Sequence, residues 1–168
     1  KKVRDSDLHL VLDRAKSVGI YKMMITGSSL NDAKTAYDLV KNYNAEHVLY
    51  STVGCHPCHA TDFEDPIYGG PETYVKRLSS LIQTDIDNHK NTGTERKIIA
   101  IGECGLDFDR EDYCPKEIQI RHYEKHFDLT EQFNMPMFLH DRNTGGLFYE
   151  MTRKNRHRFP TGVVHSFT

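Results

Sequence analysis

Apolar positions along the chain switch between a helical period and short continuous runs. From Asp5 to Val18 the residues Leu8, Val11, Leu12, Ala15 and Val18 share one helical face, closed by Gly19. Tyr21–Thr26 reads as a short buried strand. Ser29 and Asp32 have the spacing of an N-terminal capping pair, and Ala33, Ala36, Tyr37 and Val40 continue that helix. Val48–Val53 is the next strand, ending at Gly54, and Cys55–Gly70 reads as a loop. Pro71 or Glu72 then opens a helix with Tyr74, Val75, Leu78, Leu81 and Ile82 on one face. Lys97–Ile101 is a strand that stops at Gly102. Pro115 opens a helix through Ile120, Tyr123 and Phe127 that ends before Pro136. Met137–Leu139 is a strand, Leu147–Asn155 a helix, and Gly162–Val164 begins a last strand.

Helices and nearly continuous apolar strands therefore alternate, which predicts a parallel sheet covered by helices. A doubly wound sheet and a β/α barrel both fit. No glycine-rich phosphate fingerprint follows any strand, which counts against the nucleotide-binding version. The polar residues after the strands carry more. One strand runs into Gly54-Cys55-His56-Pro57, the next into Gly102-Glu103-Cys104-Gly105-Leu106-Asp107. The last two run into His140-Asp141-Arg142 and His165-Ser166. Four successive strands deliver a His or a Glu at the carboxyl end, where parallel barrels build their sites. One carboxylate and three imidazoles aimed at one spot predict a divalent-metal site.

Composition changes this picture little. The 168 residues carry a net charge of −2, so nothing marks a protein that coats nucleic acid by overall charge. A nucleic-acid substrate would need local basic groups or bound cations. No stretch approaches the roughly 20 apolar residues of a membrane span, and Lys1–Asp5 lacks a signal peptide's apolar core. The cysteines, Cys55, Cys58, Cys104 and Cys114, read as reduced thiols of an intracellular protein, cytoplasmic or nuclear.

Other motifs are weaker. Cys55-His56-Pro57-Cys58-His59 fits redox and haem-attachment patterns, but a redox pair normally opens a helix and here a loop follows. His122 and His126 stand one turn apart, yet Tyr123 occupies the place where a metalloprotease needs Glu, so the pair reads as a solvated helix face. His9, His47, His89 and His157 read as surface residues. The basic run Arg153–Arg158 reads as a solvated helix end.

The strings Gly54-Cys55-His56-Pro57, Ile101-Gly102-Glu103-Cys104-Gly105-Leu106-Asp107-Phe108, Met135–His140 with Arg142, and Val164-His165-Ser166-Phe167 together resemble the TatD family of metal-dependent deoxyribonucleases. The continuation Phe108-Asp109-Arg110 is similar to its eukaryotic branch. The resemblance implies a (β/α)8 TIM barrel, two divalent metal ions (magnesium, manganese or zinc) and hydrolysis of DNA phosphodiester bonds. It also implies DNA as partner, single-stranded or at 3′ ends, cut by 3′→5′ exonuclease or endonuclease action. By motif, Glu103 is a metal ligand shared between the ions, and His140 and His165 are ligands of one ion. His56 lies near the metals and the scissile phosphate, and Asp107 and Arg142 are supporting or phosphate-facing groups. Two departures follow. Asp141 stands where the family usually has Cys. A closed barrel takes about 250 residues, so residues 1–168 are expected to be one incomplete barrel domain. Its first strand would precede Lys1 and a late, Asp-bearing strand would follow Thr168. Hydrolysis of a small amide or ester, and a non-catalytic interaction module, are the alternative readings.

Overall fold

The structure, a computed structural model, describes residues 7–43 and 49–167. The expected helix start at Asp5, the strand start at Val48 and the surface placement of His47 lie outside the described residues. Five helices and five strands follow in strict alternation: α1 Leu8–Ser17, β1 Met23–Ile25, α2 Leu30–Asn42, β2 Leu49–Val53, α3 Pro71–Thr92, β3 Ile98–Asp107, α4 Lys116–Phe133, β4 Met137–Arg142, α5 Leu147–Lys154 and β5 Gly162–His165. The strands form one sheet in the order β1-β2-β3-β4-β5, every pair parallel. Each strand lies beside its sequence neighbour. A doubly wound sheet reverses its order near the middle, whereas a β/α barrel does not. Five strands of this kind make half a barrel.

Local chemistry explains the elements. Ser29 caps α2, its side chain accepting from the Asp32 amide, and Leu30, Ala33, Ala36, Tyr37 and Val40 are buried along one stripe. Pro71 starts α3 in the position where a missing amide proton costs nothing. Tyr74, Leu78 and Ile82 follow at four-residue spacing, each with 0% exposure, and each contributes about 2 kcal/mol by burial. These helices pack with β1, β2 and the start of β3 into one apolar cluster. Buried Asp85 on α3 anchors the entry to β3 by accepting from the Lys97 and Ile98 amides. A second cluster joins α4 and α5 to Cys104, Leu106, Met137 and Leu139. Helix α1 is the exception. None of its residues is buried, and Val11 and Val18 are largely exposed.

Two strands are longer than their apolar runs. β3 continues through the whole Gly102–Asp107 string, and β4 continues through Arg142. Glycine makes the first extension possible. Pairing shifts register between Ile101 and Cys104, and Gly102 and Gly105 take φ of 140° and 149°. A methyl group on Gly102 would overlap the Phe138 carbonyl oxygen, and one on Gly105 that of His140. The Cys55–Gly70 segment is not a plain loop either. It winds into 3-10 turns at Pro57–Phe63 and Pro66–Tyr68, each opened by a proline. Among the described residues no helix is long and apolar enough to cross a membrane.

Gly105→Ala is expected to lower stability by more than about 2 kcal/mol, because backbone strain and a steric overlap add. Gly19→Ala, with φ of 88° but open space around it, should cost only about 1 kcal/mol. Urea denaturation of the intact protein measures both; equal losses would show that close strand approach is not what selects glycine in β3.

Candidate metal centre

Strand pleating divides the labour of β3 and β4. Cys104 and Leu106, Met137 and Leu139 face the helices, so Glu103 and Asp107, His140 and Arg142 face the opposite side. Register does the rest. Gly105 pairs with His140, Asp107 with Arg142, and His140 with His165. The β2 end adds His56, whose amide donates to the Ser28 carbonyl at 2.9 Å.

Three imidazoles close on one carboxylate oxygen. His140 Nδ1 lies 2.9 Å and His56 Nε2 3.5 Å from Glu103 Oε1, and His165 Nε2 contacts the same oxygen. His140 Nδ1 and His165 Nε2 are 3.4 Å apart. On its far side His140 Nε2 is 3.0 Å from Asp107 Oδ2, and Arg142 Nη1 lies 3.5 Å from that oxygen. Phe138 stacks on His165 at 4.9 Å.

The donor set fits a divalent metal. If His140 Nε2–H donates a hydrogen bond to Asp107, the Nδ1 lone pair points at Glu103 Oε1 and His165 Nε2. His56 Nδ1 accepts from the Cys58 amide at 3.1 Å, so the neutral ring carries its proton on Nε2, toward Glu103, and His56 is not one of the lone pairs. Converging lone pairs repel unless protons or a cation lie between them. A carboxylate behind a ligating imidazole fixes its tautomer, and Asp107 is placed where such a carboxylate would stand. Glu103, His140 and His165 could thus hold one ion, with Glu103 free to share a second. With no cation between them the groups must share protons instead: burial opposes the charge of Glu103, yet hydrogen bonds donated by His140 and His165 in that arrangement hold its pKa to about 2. Burial drives His56 down to about 4 against the attraction of Glu103. A neutral imidazole and an ionised carboxylate are the forms a metal needs.

Asp141 does not join this centre. It lies on the helix side of β4 and accepts from Thr144 Oγ1 at 2.7 Å. The cysteine pair also takes another role. The segment after Cys55 is a 3-10 turn, so the missing-helix argument against redox use fails. A different argument replaces it, because burial pushes the Cys55 thiol up, away from a reactive thiolate. All four cysteines are free thiols.

The expectation of a solvated His122–His126 face is overturned. Their exposures are 1% and 2%, because the Pro57–Phe63 turn packs on the side of α4 that the Tyr123 and Phe127 stripe leaves open. Phe63 stacks on His122 at 4.4 Å, and His122 Nε2 meets Glu64 Oε1 at 3.1 Å. His126 Nε2 accepts from the Cys55 amide at 3.0 Å, and its Nδ1 faces the His122 carbonyl oxygen. It therefore fixes the peptide next to His56. Gln119 does the same for Asp107. Its Oε1 accepts from the Asp107 amide at 2.8 Å, and its Nε2 donates to the Asp107 and Cys114 carbonyls. Gln119, His122 and His126 form a polar stripe at helical spacing beside the apolar one, which is the signal that would have found them. His9, His89 and His157 are exposed. In the basic run, Arg153, Lys154, Arg156 and His157 are exposed, and Arg158 is partly buried and pairs with Asp128 at 2.6 Å and Glu131 at 2.7 Å.

Comparison with known proteins gives one consistent result. The family model described as TatD related DNase matches residues 1–168. The chain is 38% identical over 163 residues to "Deoxyribonuclease Tat-D" of Schizosaccharomyces pombe, covering 96% of this chain and 49% of that protein. It is 29% identical to "3'-5' ssDNA/RNA exonuclease TatD" of Yersinia pseudotuberculosis, covering 96% and 54%. A TatD family hydrolase structure from Entamoeba histolytica superposes with a TM-score of 0.82 at 29% identity, over 99% of this chain and 52% of that one. An uncharacterized amidohydrolase from Saccharomyces cerevisiae gives 0.77 at 26%, over 92% and 46%. The chain spans about half the length of the curated relatives it matches.

His126 generates a test. Burial lowers its pKa from 6.5 to about 4, outweighing the His122 and Tyr123 carbonyls. Unfolded chains then bind the proton first, so its contribution is full above pH 6.5 and falls as pH drops toward 4. His126→Phe leaves the Cys55 amide unpaired and should cost about 1–3 kcal/mol at pH 7. The stability gap between wild type and variant should close between pH 6.5 and 4. A gap that stays constant across that range would show that His126 is not neutral in the fold.

Proposed function

Because the chain belongs to the TatD-related deoxyribonuclease family, we propose that the intact protein hydrolyses DNA phosphodiester bonds with two divalent cations gathered around Glu103. The supporting observation is the convergence of His56, His140 and His165 on one carboxylate oxygen. Such cations would supply Lewis acidity, easing ionisation of a water and offsetting charge on the phosphoryl oxygens. Magnesium, manganese or zinc would each suit a mixed imidazole and carboxylate set.

The side chains take separate parts. Glu103 would offset the repulsion between the cations with its negative charge, and His140 and His165 would help to hold one of them. Asp107 keeps the His140 ring in one tautomer and orientation. Arg142 spends one amine on Asp107 and is partly exposed, so its remaining donors can meet a phosphate. His56, held neutral by burial, can donate from Nε2 to an oxygen of the scissile group. The substrate we favour is single-stranded DNA or a 3′ end, the kind of substrate named for the bacterial relatives. We also propose that residues 1–168 lie within one barrel domain, whose closure takes the greater length seen in the relatives. Four free thiols fit an intracellular setting, cytoplasmic or nuclear.

Glu103→Gln preserves shape and removes the charge. In the intact protein it should lower bound metal and cut single-strand DNA cleavage by about 100-fold or more. Elemental analysis and a gel assay with 3′-labelled DNA read the two effects. Wild-type metal content and rate in the variant would rule out the assignment of Glu103. Turnover of esters or amides without DNA cleavage would instead support a small substrate.

A further inference from the structure

Beside the centre just described lies a second group of ligand atoms with different chemistry. His56, Cys58 and Asp107 each offer one donor atom, and the three lie within 4.8 Å of one another. Asp107 supplies an independent sign. Its Oδ2 is taken by His140 and Arg142, but its Oδ1 is buried and without a hydrogen-bond partner among the described residues. The residue is only 1% exposed, and a buried carboxylate oxygen left bare is costly. Cys58 is partly exposed, whereas Cys55, Cys104 and Cys114 are buried. It is therefore the thiol that a solvated ion can reach. The 3-10 turn at Pro57 sets the His56–Cys58 spacing, and the His56 Nδ1 lone pair now accepts from the Cys58 amide, a bond that an ion taking that nitrogen replaces.

We propose that His56, Cys58 and Asp107 form a separate subsite for a thiophilic divalent cation such as zinc or cadmium, and that filling it inhibits hydrolysis. Sulfur, nitrogen and oxygen donors in this number leave one position of a tetrahedral ion open. Magnesium disfavours sulfur, so with magnesium in excess at the Glu103 centre it does not compete here. Binding turns the Cys58 thiol into a sulfur–metal bond and releases its proton to solvent. The same imidazole belongs to both groups, because His56 also faces Glu103 at 3.5 Å. An ion at Cys58 thus withdraws His56 from the Glu103 centre. The inhibitory half rests on the hydrolase reading above; the binding half does not.

The test titrates cadmium into the intact protein in excess magnesium and follows sulfur-to-cadmium charge-transfer absorption. We expect a band that saturates near one equivalent, vanishes in Cys58→Ser and persists in Cys114→Ala. Reversible blocking of Cys58 with a small methanethiosulfonate should abolish the band, and reductant should restore it, which covers a variant that folds poorly. In parallel, cadmium should inhibit magnesium-supported DNA cleavage, and Cys58→Ser should need about tenfold more cadmium for half-inhibition of its own rate. No band, or a band unchanged in Cys58→Ser and after blocking, overturns the subsite. A Cys58-dependent band in a protein that does not cleave DNA supports the subsite and removes the hydrolase reading. Cleavage with a Cys58-dependent band but no shift in inhibition overturns the inhibitory half.

Discussion

An imidazole has two nitrogens and, when neutral, one proton. His140 meets a carboxylate at each nitrogen, Asp107 on one side and Glu103 on the other. In the neutral ring a metal needs, one of those contacts is bridged by something other than the ring's own proton. Much of the surrounding structure serves that constraint. The β3–β4 register puts Asp107 and Glu103 on either side of the ring, and glycines at 102 and 105 let the two strands come close enough. His165 and His56 enter from the neighbouring strands on the same side as Glu103. A cation is the simplest object that satisfies all of these groups at once.

The architecture was legible because burial on one face of a helix leaves a periodic trace. Tyr74, Leu78 and Ile82 mark α3 as plainly in the sequence as in the packing. The clustering of the strand ends was legible for a related reason: a charged or imidazole side chain directly after an apolar run has few explanations. What escaped notice was polar and buried. Gln119, His122 and His126 look like solvated residues in one dimension, since nothing in the sequence announces that the Pro57–Phe63 turn folds over them. Strand length escaped too. A strand that passes through Gly102, Glu103 and Gly105 breaks its apolar pattern, and only the close approach of the β4 backbone shows why.

Behind the centre stands a layer of groups that never face it. Tyr74 accepts from the Leu30 amide at 2.8 Å and contacts the Cys55 sulfur at 3.6 Å. It joins the start of α2, the body of α3 and the segment that carries His56. His126 grips the same segment from α4. The position of His56 is thereby set by three helices at once, while those of Glu103 and His140 are set by strand pairing. Groups of these two kinds answer to different perturbations: helix packing moves the first, and sheet register moves the second.

The order of strands in the sheet has a consequence for how such a molecule comes into being. Every strand pairs with the one made just before it. A chain leaving the ribosome can therefore lay each of these strands on its immediate predecessor, closing one helical crossover at a time. Chemistry is not acquired in the same gradual way. Glu103 gains His56 from an earlier strand, His140 from the next and His165 only from the fifth. The scaffold accumulates by increments, but the cluster around Glu103 gathers only after the last of these arrivals, so a nascent chain can be largely folded and still lack it.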